Sequence, residues 1–311
     1  MRREIGIGAS ETPAIMGTEN KRYSSALSVY CDKVGLLEES EEHEAATFGR
    51  EVEPYLLQYF GAKLDWVRGP TGDNLGQNRR IARSTQHPHM FCTPDAFIRL
   101  RSHPAEEIEV NLKVTTRGEW DGEDVPAYVY DQAQHSMVVL GTQLTVIAGI
   151  VAMRGGIVPR AKLVPQDLVR QAQIIEATAE LWDRVQRRDP PEADGGDASA
   201  RALHALYPVD NDTTVSLGDD MLEITRRLDL LDQREKDVKD ERAALRQAIQ
   251  RVMGEAKFGV LPDRRVWSLG TVNKASYVVK ATSYRNLTRV AEKRAGAIAN
   301  AFARLQEDHG D

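Results

Sequence analysis

Cysteine is scarce in this 311-residue chain: Cys31 and Cys92 are the only two, too few for a disulfide framework. That predicts a reducing compartment, the cytoplasm. No run of 18 or more apolar residues occurs, so no membrane span is expected. The opening Met1-Arg2-Arg3-Glu4 leads into no secretory apolar core. Basic excess is missing too. The formal charge is −6, which does not advertise a nucleic-acid binder. Net charge is a weak veto, because a local basic funnel inside an acidic shell still attracts phosphate. Arg79, Arg80 and Arg83 read equally well as part of such a funnel or as a solvated loop.

What is present suggests one large domain or two modest ones. Residues 10–35 and 44–61 read as helices, the second carrying Val52, Leu56, Leu57 and Phe60 at helical spacing. Residues 63–115 are strand-like and turn-rich, with strands expected over Phe91–Leu100 and Ile108–Val114. Residues 126–140 predict a helix with Tyr128, Gln132, His135 and Val139 on one face. The β-branched run Leu144–Met153 predicts a buried strand. A helix is expected over 165–187, ended by Pro190-Pro191. The polar Glu-Ala-Asp-Gly-Gly-Asp stretch that follows is the best boundary candidate, giving a core of 1–195 and an extension of 210–311. In the extension Ile224, Leu231, Val238, Leu245 and Val252 recur every seven residues, beside Met221, Leu228 and Ile249, with Glu235 and Arg242 interrupting the seam. Asp219 is the expected cap and Gly254 the expected helix stop. Short strands over 257–280 and a basic helix over 286–305 complete the reading.

The chemistry-bearing segment is Cys92-Thr93-Pro94-Asp95, followed 16 residues after Asp95 by Asn111-Leu112-Lys113. On a strand, residues 111 and 113 share a face. A lysine in a buried strand is costly unless paired, so Lys113 is the hardest of these residues to explain structurally. Taken singly, the others have plain readings. Ser10 reads as a helix cap, Asp95 as a turn residue, and Glu53, Gln132 and Gln134 as solvated helix surface. His87, His89 and His135 match no zinc spacing and receive no ligand role.

Taken together and in order, the motifs resemble the YqaJ-like viral recombinases, the lambda-exonuclease branch of the restriction-endonuclease-like nucleases. Arg3 to Ser10 is similar to the family opening, Phe48-Gly49-Arg50-Glu51-Val52-Glu53-Pro54 to its Gly-x-x-x-Glu helix, and Thr93-Pro94-Asp95 to its Ser/Thr-Pro-Asp segment. Asn111-Leu112-Lys113 aligns with Glu-x-Lys, and Asp131-Gln132-Ala133-Gln134 with the Gln-x-Gln helix. The resemblance spans about residues 3–190. It implies an α/β fold with a mixed central sheet flanked by helices, and a 5′→3′ double-stranded DNA exonuclease using Mg²⁺, with Mn²⁺ able to substitute. Asp95, residue 111, the Leu112 carbonyl and Glu53 would form the metal shell. Lys113 would orient the attacking water, and Gln134 the nucleophile or a phosphate oxygen. Arg3, Ser10 and Thr93 would hold the 5′-phosphate. Double-stranded DNA ends, a ring-shaped homo-oligomer and a single-strand annealing protein are the implied partners.

Asn111 departs from the pattern, since an amide brings no charge to a cation. Glu109 lies on the same strand face, about 6.5–7 Å along it, and is the alternative carboxylate if a bulge intervenes. Three readings stand at this point: an active natural variant with weaker metal binding, an inactivating substitution, and a protein that binds DNA ends while cutting poorly.

Overall fold

The computed structural model describes residues 2–37, 44–64, 66–75, 80–101, 103–115, 120, 124–153 and 156–271. The N-terminal part begins with α1 (Arg2–Ile5), β1 (Ile7–Gly8), α2 (Thr12–Ile15), α3 (Ala26–Lys33) and α4 (Glu44–Lys63). The single helix expected over 10–35 is thus two short helices. Ser25 starts the second, accepting from the Ser28 backbone while the Ser28 hydroxyl accepts from the Ser25 N–H.

Strands follow: β2 (Trp66–Asp73), β3 (Ala82–Arg83), β4 (Met90–Cys92), β5 (Ala96–Leu100) and β6 (His103–Thr115). The expected strand Phe91–Leu100 breaks at Thr93-Pro94-Asp95, where proline cannot donate to a ladder. Then come α5 (Ala127–Leu140), β7 (Leu144–Met153), β8 (Gly156–Pro165), α6 (Leu168–Arg187) and α7 (Asp197–Leu206). β8 was not expected. It carries two prolines and is mostly exposed, so no clear alternation marks it.

The main sheet has the order β2-β5-β6-β7-β8. β6 and β7 are parallel and the other pairings antiparallel, so the sheet is mixed. A parallel pair needs a crossover, and α5 is within it. β1, β4 and β3 make a second, small sheet.

Helices cover both faces. Leu56, Leu57 and Phe60 of α4 pack on Ile98, Val110, Leu112, Val146 and Ala148. Ala133 and Met137 of α5 pack on Ile147 and Val151. Successive β7 side chains therefore alternate between two apolar layers, which is why its sequence is apolar apart from Thr145. Residues 109, 111 and 113 of β6, offset from Val110 and Leu112, belong to the α5 face. Gly149 is registered opposite Lys113, and a Cβ there would collide with the Lys113 carbonyl. β6 and β7 approach this closely only with glycine at 149.

The chain divides at Pro208/Val209, beside the expected start of the extension at 210 and 13 residues past the expected end of the core at 195. α7 lies beyond the connector yet belongs to the first unit. Ala202 is buried against α3, and the Ser199 hydroxyl donates to Ser25 Oγ at 2.9 Å. In the second unit, α8 (Asp219–Met253) is one uninterrupted helix, followed by the hairpin β9 (Phe258–Val260) and β10 (Val266–Ser268). Gly218 occupies the N-cap instead of Asp219, and Gly254 ends the helix at positive φ as expected. The basic helix expected over 286–305 lies outside the described residues.

Candidate active site

A cleft of about 370 Å³ opens beside the Pro94-Asp95 break. Its walls come from β4, the β4–β5 junction, β6, α3, α4, α5 and the β1–α2 turn. Asp95 stands one step past the last registered β5–β6 pair, Ala96↔Val110. The strand partner is gone there, and the carboxylate takes its place: Asp95 Oδ2 accepts from the Leu112 N–H at 2.8 Å. A side chain has replaced a ladder carbonyl, which fixes the carboxylate against β6.

Asn74, which the motif analysis did not single out, holds the turn from behind. Its amide nitrogen donates to the Pro94 and Arg80 carbonyls at 2.9 and 2.8 Å, and its backbone N–H donates to the Asp95 carbonyl at 2.8 Å. No local pattern marks Asn74, because its bond to the Pro94 carbonyl reaches 20 residues along the chain.

Several expected residues converge. Ser10, Glu53, Thr93, Asp95, Leu112 and Lys113 all line the cleft. Glu53 comes from the second turn-pair of α4 and is nearly buried. Lys113 is partnered, its Nζ donating to Gln132 Oε1 at 2.7 Å. That contact corrects one assignment. Gln132, not Gln134, is the α5 glutamine at the cleft. Gln134 is fully buried on another side of the helix, where its Nε2 donates to the Pro165 carbonyl and its Oε1 accepts from Asp167 N and Gln171 Nε2. Consecutive even positions on a helix are about 200° apart, so both glutamines cannot face one site.

Arg3 falls on α1, but its side chain is outside the described residues. Ser10 does not cap α2; Glu11 holds that position without a side-chain cap bond. The arginine funnel is not assembled at the cleft. Arg80 donates to the Thr71 carbonyl and Arg83 to the Pro88 and Ile5 carbonyls, while Arg79 is outside the described residues. The cations that do line it are Lys33 and Arg50, with Lys113. Lys33 is buried, pairs with Glu11 at 2.6 Å and lies 5.5 Å from the Phe91 ring centroid. Burial raises the Glu11 pKa, and the Lys33 ammonium opposes that rise. Sequence spacing alone hid both residues, because α3 reaches the cleft only through tertiary packing.

Asn111 and Glu109 sit behind the cleft wall, 4% and 0% exposed. Among the described residues the Asn111 amide nitrogen has no hydrogen-bond partner, nor does Glu109 Oε1. The other Glu109 oxygen accepts from Thr145 Oγ1 at 3.3 Å. Burial, then the neighbouring Asp95 charge, push the Glu109 pKa up to about 7, against the Thr145 and Ser136 hydroxyls and the Lys113 ammonium. No bulge shifts β6 against β7 here, since the register runs unbroken from Glu109↔Thr145 to Thr115↔Val151.

These residues fit a hard divalent cation. Asp95 and Glu53 offer carboxylates and Leu112 a carbonyl. The orphaned oxygen of a buried Glu109 beside Asp95 is anionic potential that no described side chain neutralises fully. No cluster of three or more His, Cys, Asp or Glu positioned for a metal occurs among the described residues, so a cation here would need backbone and water oxygens as well. His135 is buried between Thr12 Oγ1 and the Phe91 carbonyl, and burial drives its pKa down to about 3.

Comparison with known proteins follows the same segment. Residues 1–143 match the family model of the YqaJ-like viral recombinase domain. The chain is 23% identical over 269 residues to the uncharacterized protein YqaJ of Bacillus subtilis (strain 168), covering 83% of this chain and 78% of that protein. Among solved structures it matches LHK-Exo in complex with dAMP, with a TM-score of 0.46 and 12% identity over 60% of this chain and 91% of that one. The alkaline exonuclease LHK-Exo from Laribacter hongkongensis gives a TM-score of 0.44 at 12% identity, with the same coverage.

Proposed function

We propose, on the premise that residues 1–143 carry a YqaJ-like viral recombinase domain, that this chain is a metal-dependent DNA exonuclease working in recombination, degrading duplex from 5′-phosphorylated ends. The observation that carries the reading is the meeting of Asp95, Glu53 and Lys113 in one cleft, with Asp95 locked onto the Leu112 backbone.

Asp95, Glu53 and the Leu112 carbonyl would hold Mg²⁺ or Mn²⁺, with residue 111 and Glu109 behind them. A bound divalent cation supplies a lowered water pKa and neutralises charge on the phosphate and leaving oxygen. The chain's own residues do the rest. Lys113, steered by the Gln132 carbonyl oxygen, points its ammonium at the cleft and donates to the attacking water or a phosphate oxygen. Ser10 and Thr93 hydroxyls and the Lys33 and Arg50 cations offer donors to a terminal phosphate, which has more charge than an internal one.

A second reading is favoured by Asn111. Its neutral amide removes an anionic ligand, so the chain would bind DNA ends and cut them weakly. Digestion of linear duplex carrying 5′-phosphate or 5′-hydroxyl ends, over a Mg²⁺ and Mn²⁺ series, separates the two. Metal-dependent loss of the 5′-phosphorylated strand supports the exonuclease. Retention of ends without cleavage supports the binder, and neither binding nor cleavage rejects both.

A further inference from the structure

α8 runs for 35 residues and buries none of them. Ile224, Leu231, Val238, Leu245 and Val252 recur along it every seventh residue, from 47% exposed at Leu231 to 89% at Val252. Met221, Leu228 and Ile249 complete the stripe. A strict seven-residue repeat of this kind suits left-handed packing against one other helix. A lone helix exposing it forgoes the packing that stabilises most helices in water.

The two charges in the stripe point to the occupant. Glu235 and Arg242 hold equivalent seam positions one heptad apart. If two copies paired in parallel and in register, Glu235 would face Glu235 and Arg242 would face Arg242, like charges in the seam. Antiparallel pairing about the helix midpoint avoids this. It sets Met221 opposite Val252, Ile224 opposite Ile249 and Leu228 opposite Leu245. Glu235 then meets Val238, and Arg242 meets Leu231, over which their aliphatic stems pack while the charged heads reach the rim.

Along the flanks, Arg227 meets Glu241 and Asp232 meets Arg246, each pair occurring twice across the dyad. Arg234 and Lys239 meet their own equivalents near the centre, and parallel pairing would give the flanks the same count of opposite and like contacts, so the seam charges choose the direction. The two halves of the helix differ in the same sense. Residues 219–236 hold six acidic and four basic side chains, and residues 237–253 hold three acidic and four basic. Reversed pairing lays the acidic half on the basic half, and opposes the helix dipoles.

We infer that α8 is a self-association helix, and that two copies of this chain pair through it antiparallel along its whole length. Such a pair is closed by a two-fold axis and recruits no further chain through the same surface. The inference stands apart from the nuclease reading, and its test uses no cleavage assay.

Full-length chains with Ile224→Cys are mixed with full-length chains with Ile249→Cys under mild oxidation. Antiparallel pairing makes these positions neighbours and yields a mixed disulfide dimer. Parallel pairing separates them by about 37 Å and yields none. Leu231→Cys alone gives the converse: antiparallel equivalents stand about 16 Å apart along the axis and stay unlinked, whereas parallel ones cross-link. The native Cys31 and Cys92 are buried, and the parent chain is the control. Sedimentation of the parent should give an even number of copies, halved by Leu231→Asp with Leu245→Asp. A monomeric parent, an unchanged mass in that variant, or a cross-linked Leu231→Cys homodimer overturns the inference.

Discussion

Asp95 shows how one residue serves both fold and site. Its carboxylate completes the β6 ladder at Leu112 and lines the cleft. Asp95→Ala should therefore lower metal-dependent cleavage by several orders of magnitude. It should also cost about 1–3 kcal/mol of stability, because the Leu112 N–H loses its partner. Denaturant unfolding beside a nuclease assay reads both effects, and undiminished Mg²⁺-dependent cleavage would rule out the site. Glu109 supplies a pH test. Its folded pKa, about 7, exceeds its ordinary value of 4.5, so the folded state holds the proton more tightly. Its contribution to stability is full below about pH 4.5 and is lost as pH rises through about 7. Glu109→Gln should thus unfold at a higher temperature than the parent at about pH 8 and lose that advantage near pH 5. Melting curves without metal check this; a gap that does not change with pH would mean Glu109 does not titrate there. Asn111→Glu adds an anionic group beside the proposed shell and should tighten Mg²⁺ binding and raise cleavage at low metal. Calorimetric titration decides; an unchanged affinity would mean that residue 111 does not face the ion and that Glu109 supplies the charge.

At the scale of elements, the site depends on how closely β6 and β7 approach and how α5 lies on them. Gly149→Ala would force the strands apart beside Lys113, since the obstacle is backbone and cannot rotate away. A loss of roughly 1–3 kcal/mol is expected, together with slower turnover in the fraction that remains folded. Equal stability and rate in the variant would show that the approach is looser than this. Gln132 and Gln134 give a contrast on one helix. Gln132→Ala removes the Lys113 partner and should lower the rate at nearly unchanged melting temperature. Gln134→Ala leaves the Asp167 N–H short of an acceptor and should lower stability instead, by roughly 1–3 kcal/mol. The reverse pattern would restore Gln134 to the site.

For the whole molecule, the division at Pro208 makes a truncation test. A chain ending at 208 should fold with the cleft intact, because every residue placed in the cleft precedes it. A chain ending near 195 should unfold more readily, since it strips Ala202 from α3 and removes the Ser199–Ser25 hydrogen bond. Circular dichroism melts of both chains read this. Equal stability would put the boundary back at the polar connector. No helix among the described residues is long and apolar enough to cross a membrane.

The sequence by itself determined the elements whose pattern is local. The nearly continuous β-branched and apolar run Leu144–Met153 marks a strand buried on both faces, and the heptad helix to Gly254 and the helix of residues 127–140 are written in periods of 3.5 and 3.6. It also determined which residue types stand at Pro94-Asp95 and Asn111-Leu112-Lys113. Only the tertiary structure decided which of these meet. Whether Gln132 or Gln134 faces Lys113 depends on the rotation of α5, set by packing on Ile147 and Val151. Lys33, Glu11 and Asn74 enter the site through contacts between segments far apart in the chain. β8 escaped because its prolines and exposed positions blur the alternation, and the connector misled because a polar stretch marks a loop, not what packs beyond it. Local periodicity is a property of neighbours in sequence; a site is a property of neighbours in space, and the burial that brings them together is summed over the whole core.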